Sequence, residues 1–76
     1  MEYEDIEIGK YYVLKVNKFL NPSSYKNKEI VVRVLRNSLV MIGMFLCDGE
    51  NYTFFGTPKD FIRKATKEEV LMEMLE

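Results

Sequence analysis

Apolar and polar positions alternate near the start of the chain, as they do in strands that bury one face. Between residues 11 and 17 every second side chain is apolar, at Tyr12, Leu14 and Val16, which predicts a strand with one face in the core. Four further segments rich in β-branched and aromatic residues also predict strands: residues 29–35, 39–47, 51–55 and 61–65. The pattern therefore predicts a mostly β domain of five strands.

Turn signals separate these segments. Residues 19–28 form a polar loop that contains Asn-Pro and two serines, and Asn27 is the residue there that best tolerates a left-handed conformation. Asp48-Gly49 lies between two apolar segments and predicts a tight hairpin turn.

The last ten residues carry a helical pattern. Thr66 and Glu69 have the spacing of a capping box, and apolar residues then recur at helical spacing: Val70, Leu71, Met74 and Leu75. A helix over residues 67–76 is too short to be stable alone, so we expect it to dock on the sheet.

The third predicted strand, residues 39–47, is apolar on both faces. A three-residue loop at residues 36–38 would place Val40, Ile42, Met44 and Leu46 on the core face with Ile30, Val32 and Val34. The opposite face would then carry an apolar set that either the helix covers or a partner binds: Met41, Phe45, Tyr52 and Phe54. These four residues are the predicted partner-binding surface.

Three segments carry a resemblance to a known group of small domains. Residues 8–13 (IGKYYV) place an apolar residue, a glycine and a polar residue before the first strand, and residues 25–32 turn into the second strand with Asn27 at the usual glycine position. Residues 48–61 supply a hairpin and a short turn before the last strand. These features resemble SH3-like barrels, in particular KOW-like and related small barrels. The resemblance spans residues 8–65 and implies a five-stranded antiparallel barrel that binds protein, RNA or DNA.

Composition argues against catalysis and metal binding. The chain has 76 residues, no histidine and a single cysteine, Cys47. It therefore lacks the commonest general base, any Cys/His zinc site and any internal disulfide. The prediction is a non-enzymatic single domain (residues 1–76) with no cofactor and no metal.

Charge is unevenly distributed although the net charge is −1. Residues 1–8 and 68–76 are acidic, whereas the middle of the chain is basic. A nucleic-acid-binding accessory protein is therefore the alternative prediction, with aromatic rings that stack on bases between cations that bind phosphates. Its site is the basic segment 15–36, with Lys15, Lys18, Phe19, Tyr25, Lys26, Lys28, Arg33 and Arg36.

The first prediction remains protein binding, by a small adaptor or modulator of a larger complex. The partner is a protein, and a homodimer stays open. No apolar run approaches the roughly 20 residues of a membrane span. The unpaired cysteine and the absence of a signal peptide predict a cytoplasmic location. The composition is compatible with a phage or AT-rich bacterial protein.

Overall fold

The computed structural model describes residues 1–21, 23–25 and 27–75, with Ser23 described by its backbone alone. Five strands form within these residues: β1 (Tyr11–Lys15), β2 (Glu29–Asn37), β3 (Phe45–Gly49), β4 (Tyr52–Gly56) and β5 (Phe61–Lys64). They form one antiparallel sheet in the order β4-β3-β2-β1-β5. The helix α1 (Lys67–Met74) follows β5, and 3₁₀ turns lie at Tyr3–Asp5, Ser23–Tyr25 and Pro58–Asp60. The mostly β prediction is confirmed. Within the described residues, β4 and β5 are the edges of a sheet that does not close into a barrel.

The core lies on one face of this sheet. The predicted alternation in the first strand is confirmed, because Tyr12, Leu14 and Val16 are all buried. Phe61 packs edge-on against Tyr12 and Phe45, with ring centroids 5.6 and 5.7 Å apart. The other members of this cluster are Ile6, Ile30, Val32, Val34, Cys47 and Phe54.

The third strand begins at Phe45 rather than at residue 39. A register shift between Val34 and Arg36 places Cys47 opposite Val34, on the core side. The predicted assignment of faces was therefore wrong. Phe45, Cys47 and Phe54 occupy the core, where Val40 and the residues that share its face were expected. Within the next hairpin the shared face of Cys47 and Phe54 was predicted correctly, and the two residues pair directly.

The hairpin between β3 and β4 turns two residues later than predicted. Gly49 ends β3, and the two turn residues are Glu50 and Asn51, with φ of 46° and 66°. Position 49 must be glycine because β3 packs closely against β2 there. A Cβ at this position would lie 2.6 Å from the backbone oxygen of Val31, so a side chain would push β3 away from β2.

The capping box that starts α1 is confirmed. The hydroxyl oxygen of Thr66 accepts a hydrogen bond from the Glu69 amide at 3.2 Å, and the Glu69 carboxylate accepts one from the Thr66 amide at 2.8 Å. Arg63 of β5 adds two bonds to the same carboxylate, at 2.7 and 3.0 Å. The helix lies against β2, where Met72 and Val31 line a common groove. It does not cover the predicted aromatic face, because Phe45 and Phe54 are on the other side of the sheet.

Asn21 occupies part of the β4 edge. Its side-chain amide donates to the carbonyl oxygen of Phe55 at 3.0 Å, and its side-chain oxygen accepts from the Phe55 amide at 2.8 Å. The side chain therefore makes the two bonds that a neighbouring strand would make. In this way the loop between β1 and β2 is fixed against the edge of the sheet.

Candidate protein-binding site

The four predicted partner-binding residues do not form one surface. Phe45 and Phe54 are 2% and 0% exposed, so they belong to the core and cannot contact a partner. Tyr52 is exposed and contacts Tyr25, with ring centroids 5.2 Å apart. Met41 lies in the loop between β2 and β3. The prediction failed because it continued the third strand through residues 39–44 and assigned its two faces from that register.

That loop instead forms a projecting apolar tip, called here the apolar knob. Three of its four side chains, Leu39, Val40 and Ile42, are among the most exposed large apolar groups of the described residues. The exposed fractions are 86% for Leu39, 86% for Val40, 42% for Met41 and 103% for Ile42. Contiguous exposed apolar groups are a common feature of interaction sites.

Local hydrogen bonds hold the knob in one conformation. The hydroxyl oxygen of Ser38 accepts from the amides of Val40 and Met41, at 3.2 and 3.1 Å. The Ser38 amide donates to the Met44 carbonyl at 2.8 Å and closes the base of the loop. Gly43 supplies the φ of +82° that returns the chain to β3, a conformation that glycine adopts at little cost. The apolar side chains are therefore presented on a preformed support.

An acidic segment lies beside the base of the knob. Tyr3 places it there: its hydroxyl donates to the side-chain oxygen of Asn37 at 3.1 Å, and its ring centroid is 5.1 Å from that of Phe45. Asn37 and Phe45 are the last cross-strand pair before the loop. The Tyr12 hydroxyl also anchors the segment, because it donates to the Asp5 carbonyl and accepts from the Glu7 amide. This segment, the acidic head, carries Glu2, Glu4, Asp5 and Glu7.

Part of the predicted nucleic-acid site is brought together elsewhere, at the end of β1 and in the following loop. Lys15, Lys18 and Phe19 line one depression. The Lys18 ammonium lies 5.1 Å from the centroid of the Phe19 ring, and that of Lys28 lies 5.4 Å from the Tyr25 ring. Phe19 is 85% exposed. These five residues are called here the basic end.

The two predicted arginines lie apart from the basic end. Arg33 lies in β2, five residues beyond Lys28, which directly precedes that strand; the separation is roughly 16 Å, and Arg36 is farther still. Arg33 also faces Asp48 at 3.7 Å, across the β2–β3 ladder. The predicted eight-residue surface is therefore divided, and Lys26 lies outside the described residues.

Two candidate kinds of reactive group can be compared with the described part of the chain, a metal site and a thiol. Those residues contain no group of three or more acidic, cysteine or histidine side chains placed to hold a metal ion. Burial raises the pKa of the Cys47 thiol to about 12, and a neutral, buried thiol is a poor nucleophile. Among the described residues, no helix is long and apolar enough to cross a membrane.

Sequence reasoning found Met41 but missed the knob as a unit. The available signal was the run of four apolar residues bounded by Ser38 and Gly43. Serine is favoured where its hydroxyl bonds nearby amides, and glycine where φ is positive. Both residues therefore favour a loop, and they were outweighed by the β propensity between them. Comparisons with protein-family models, with curated proteins and with solved structures found no match.

Proposed function

We propose that this chain is a non-enzymatic protein-binding module, a small adaptor or modulator of a larger complex, and that it binds through the apolar knob. The observation that supports this proposal most strongly is the exposure of Leu39, Val40 and Ile42 at the tip of an ordered hairpin. Water contact with these side chains is unfavourable in the free protein. A partner that buries them removes that cost.

The energy available from the knob is sufficient for specific binding. Full burial of a Leu, Val or Ile side chain contributes about 1.5–3 kcal/mol. Ordering a flexible loop on binding would consume part of this gain. The Ser38 hydrogen bonds and the Gly43 turn reduce that loss because the loop is already ordered. The knob projects from the molecule, so its complement is an apolar pocket rather than a flat surface.

We further propose that the sheet is related to SH3-like small barrels. Five antiparallel strands and a 3₁₀ turn at Pro58–Asp60 directly before the last strand support this relationship. Domains of this kind bind other macromolecules, which agrees with the proposed role. A cytoplasmic setting is part of the proposal, and the unpaired, buried Cys47 supports it.

The test is a pull-down from extract of the organism that encodes the chain, with nuclease added. The test variant is Ile42→Ser, and the matched control is Leu75→Ser, another exposed apolar residue on a different surface. We expect a protein that is retained by the wild type and by Leu75→Ser and lost by Ile42→Ser, with at least a tenfold decrease in affinity, about 1.4 kcal/mol. Capture that is equal for all three chains would show that the knob is not the binding site.

Binding to single-stranded nucleic acid through the basic end is the second candidate function. The observation that favours it is the exposed Phe19 ring beside Lys18, the combination that stacks on a base and neutralises a phosphate. The test is fluorescence anisotropy with labelled single-stranded RNA and DNA. Contacts from the three lysines predict a slope of log affinity against log salt of about −2. Phe19→Ala should weaken binding, whereas the control Lys59→Gln should not.

A further inference from the structure

We propose that the partner pocket of the apolar knob is rimmed by lysine or arginine side chains, so that it binds the knob and the acidic head together. This inference rests on the proposed function. The partner would contact the knob through apolar groups and the acidic head through positive charges. The acidic head is therefore part of the binding surface.

The acidic head lies beside the base of the knob. Tyr3 is fixed to Asn37 and Phe45, the pair from which the knob projects. Glu2 and Glu4 flank Tyr3 in the chain and are exposed. A partner that covers the base of the knob would therefore lie beside these carboxylates, whose field acts over the roughly 8–10 Å screening length of salt solutions.

Local cations compensate only part of this charge. Arg36 is the cation on the strand that leads into the knob, and its guanidinium donates to the carbonyl of Asn37. Arg33 is held by Asp48 farther down the sheet. Glu7 shares a depression with Lys10 and Lys64, and the Met1 ammonium donates to the carbonyls of Pro58 and Phe61. The exposed carboxylates of Glu2, Glu4 and Asp5 therefore outnumber the cations beside them. Electrostatic complementarity favours a basic rim on the partner.

The same charges argue against other partners for the knob. Two copies of this chain that met knob to knob would bring both acidic heads together, and like charges in contact disfavour the complex. An anionic membrane would repel the head for the same reason. A basic-rimmed protein pocket is the partner that gains from both the apolar and the charged groups.

The experiment begins with a photo-activated amino acid at position 42, incorporated in the source cells, which identifies the protein that contacts the knob. Association of that purified protein is then measured by surface plasmon resonance at low and high salt. The variants are Ile42→Ser, the head variant Glu2→Gln/Glu4→Gln/Asp5→Asn, and a control with the same charge change, Glu29→Gln/Glu50→Gln/Glu68→Gln. Thermal melting of each chain shows that it is folded.

We expect the head variant to associate about tenfold more slowly than the wild type at low salt, with the difference disappearing at high salt. The control variant should stay within about twofold of the wild type. If Ile42→Ser abolishes binding while the head variant equals the control, the basic rim is overturned and the protein-binding role stands. If Ile42→Ser binds normally, the proposed function itself fails.

Other occupants are separate outcomes of the same experiment. A cross-link that forms only between two copies of this chain would overturn the inference. Cosedimentation of the wild type, but not of Ile42→Ser, with phosphatidylcholine vesicles would also overturn it, because it would identify a lipid surface as the partner. If the chain with the photo-activated amino acid at position 42 is folded and forms no cross-link, that result would count against both proposals.

Discussion

At the scale of single residues, Asn21 carries an unusual share of the contacts between loop and sheet. Its side chain bonds both backbone groups of Phe55 and also donates to the Asn17 carbonyl at 3.0 Å. These bonds are partly buried, so their loss leaves polar groups without a partner. We expect Asn21→Ala to lower the free energy of unfolding by about 1–3 kcal/mol. Urea denaturation measures the change.

The control for this prediction is Ser24→Ala, an exposed position in the same loop, which we expect to change stability by less than about 0.5 kcal/mol. The amide exchange rate of Phe55 supplies a second readout, because Asn21→Ala should expose this amide. Unchanged stability and unchanged exchange in Asn21→Ala would mean that the loop does not protect the β4 edge.

Because the Cys47 thiol is buried, we expect the free energy of unfolding to decrease at alkaline pH. Its pKa is raised from 9.0 to about 12 by burial in the core. Below pH 9.0 the thiol is protonated in both states, so its stabilising effect is complete. As pH rises toward 12, the unfolded thiol ionises and the folded one keeps its proton. The free energy of unfolding therefore decreases by up to about 1.4 kcal/mol per pH unit.

The comparison variant is Cys47→Ala, which lacks the titrating group. Denaturation between pH 8 and pH 10 should give a steeper loss of stability for the wild type than for Cys47→Ala. Parallel profiles would contradict the prediction. In the native protein at pH 8, a thiol reagent should react only as fast as the chain opens.

At the scale of elements, α1 is held at its start by one carboxylate. The hydrogen bonds from Arg63 and from the Thr66 amide lower the pKa of Glu69 from 4.5 to about 2. The stabilisation from Glu69 is therefore complete above pH 4.5 and is lost as pH falls toward 2. A carboxyl titration by NMR should show Glu69 titrating well below 4.5.

Arg63→Gln tests the cause of this low pKa. It removes the first and largest contribution, the side-chain hydrogen bond, together with the positive charge. The Glu69 pKa should then rise toward its ordinary value while the bond from Thr66 remains. A Glu69 titration that is identical in Arg63→Gln and the wild type would show that the ion pair does not form in solution.

The elements that sequence reasoning placed well are those in which local signals agree with one another. Tyr12, Leu14 and Val16 alternate and are buried, and Thr66 and Glu69 form the capping box that their spacing predicts. Asn27 adopts its predicted left-handed conformation, with φ of 61°. In each case neighbouring residues determine the conformation, so the pattern is sufficient.

The third strand could not be placed because its local signals conflict. Residues 39–42 have the composition of a buried strand, yet Ser38 and Gly43 define a loop. The register shift beside Leu35 then decides which face of β3 enters the core. A shift of this kind depends on packing between distant residues, and nothing within either strand specifies it.

At the scale of the whole molecule, the two faces of the sheet differ. One face carries the apolar core, whereas the outer face mixes valines with charged pairs such as Lys15–Glu29 and Arg33–Asp48 and has α1 lying against β2. Val13 and Val31 are paired on the outer face, and Val13 is buried although it points away from the core. A chain of 76 residues therefore has one apolar core face to bury, and the knob is not part of its cover.

Removal of residues 67–76 should therefore expose the outer face while the five strands remain. We expect the free energy of unfolding to fall by about 1.5–3 kcal/mol, since Val31 on β2 loses the helix that lies beside it and a domain of this size has little stability in reserve. An apolar fluorescent dye should bind the shortened chain. Leu75→Ser keeps the helix and changes an exposed residue, so it should match the wild type in both measurements.

The truncation also distinguishes the role of α1 in stability from the role of the knob in binding. The knob is the loop between β2 and β3, so the shortened chain should still bind the knob's partner at concentrations where it remains folded. A shortened chain that is as stable as the wild type and binds no dye would show that the outer face is not protected by α1.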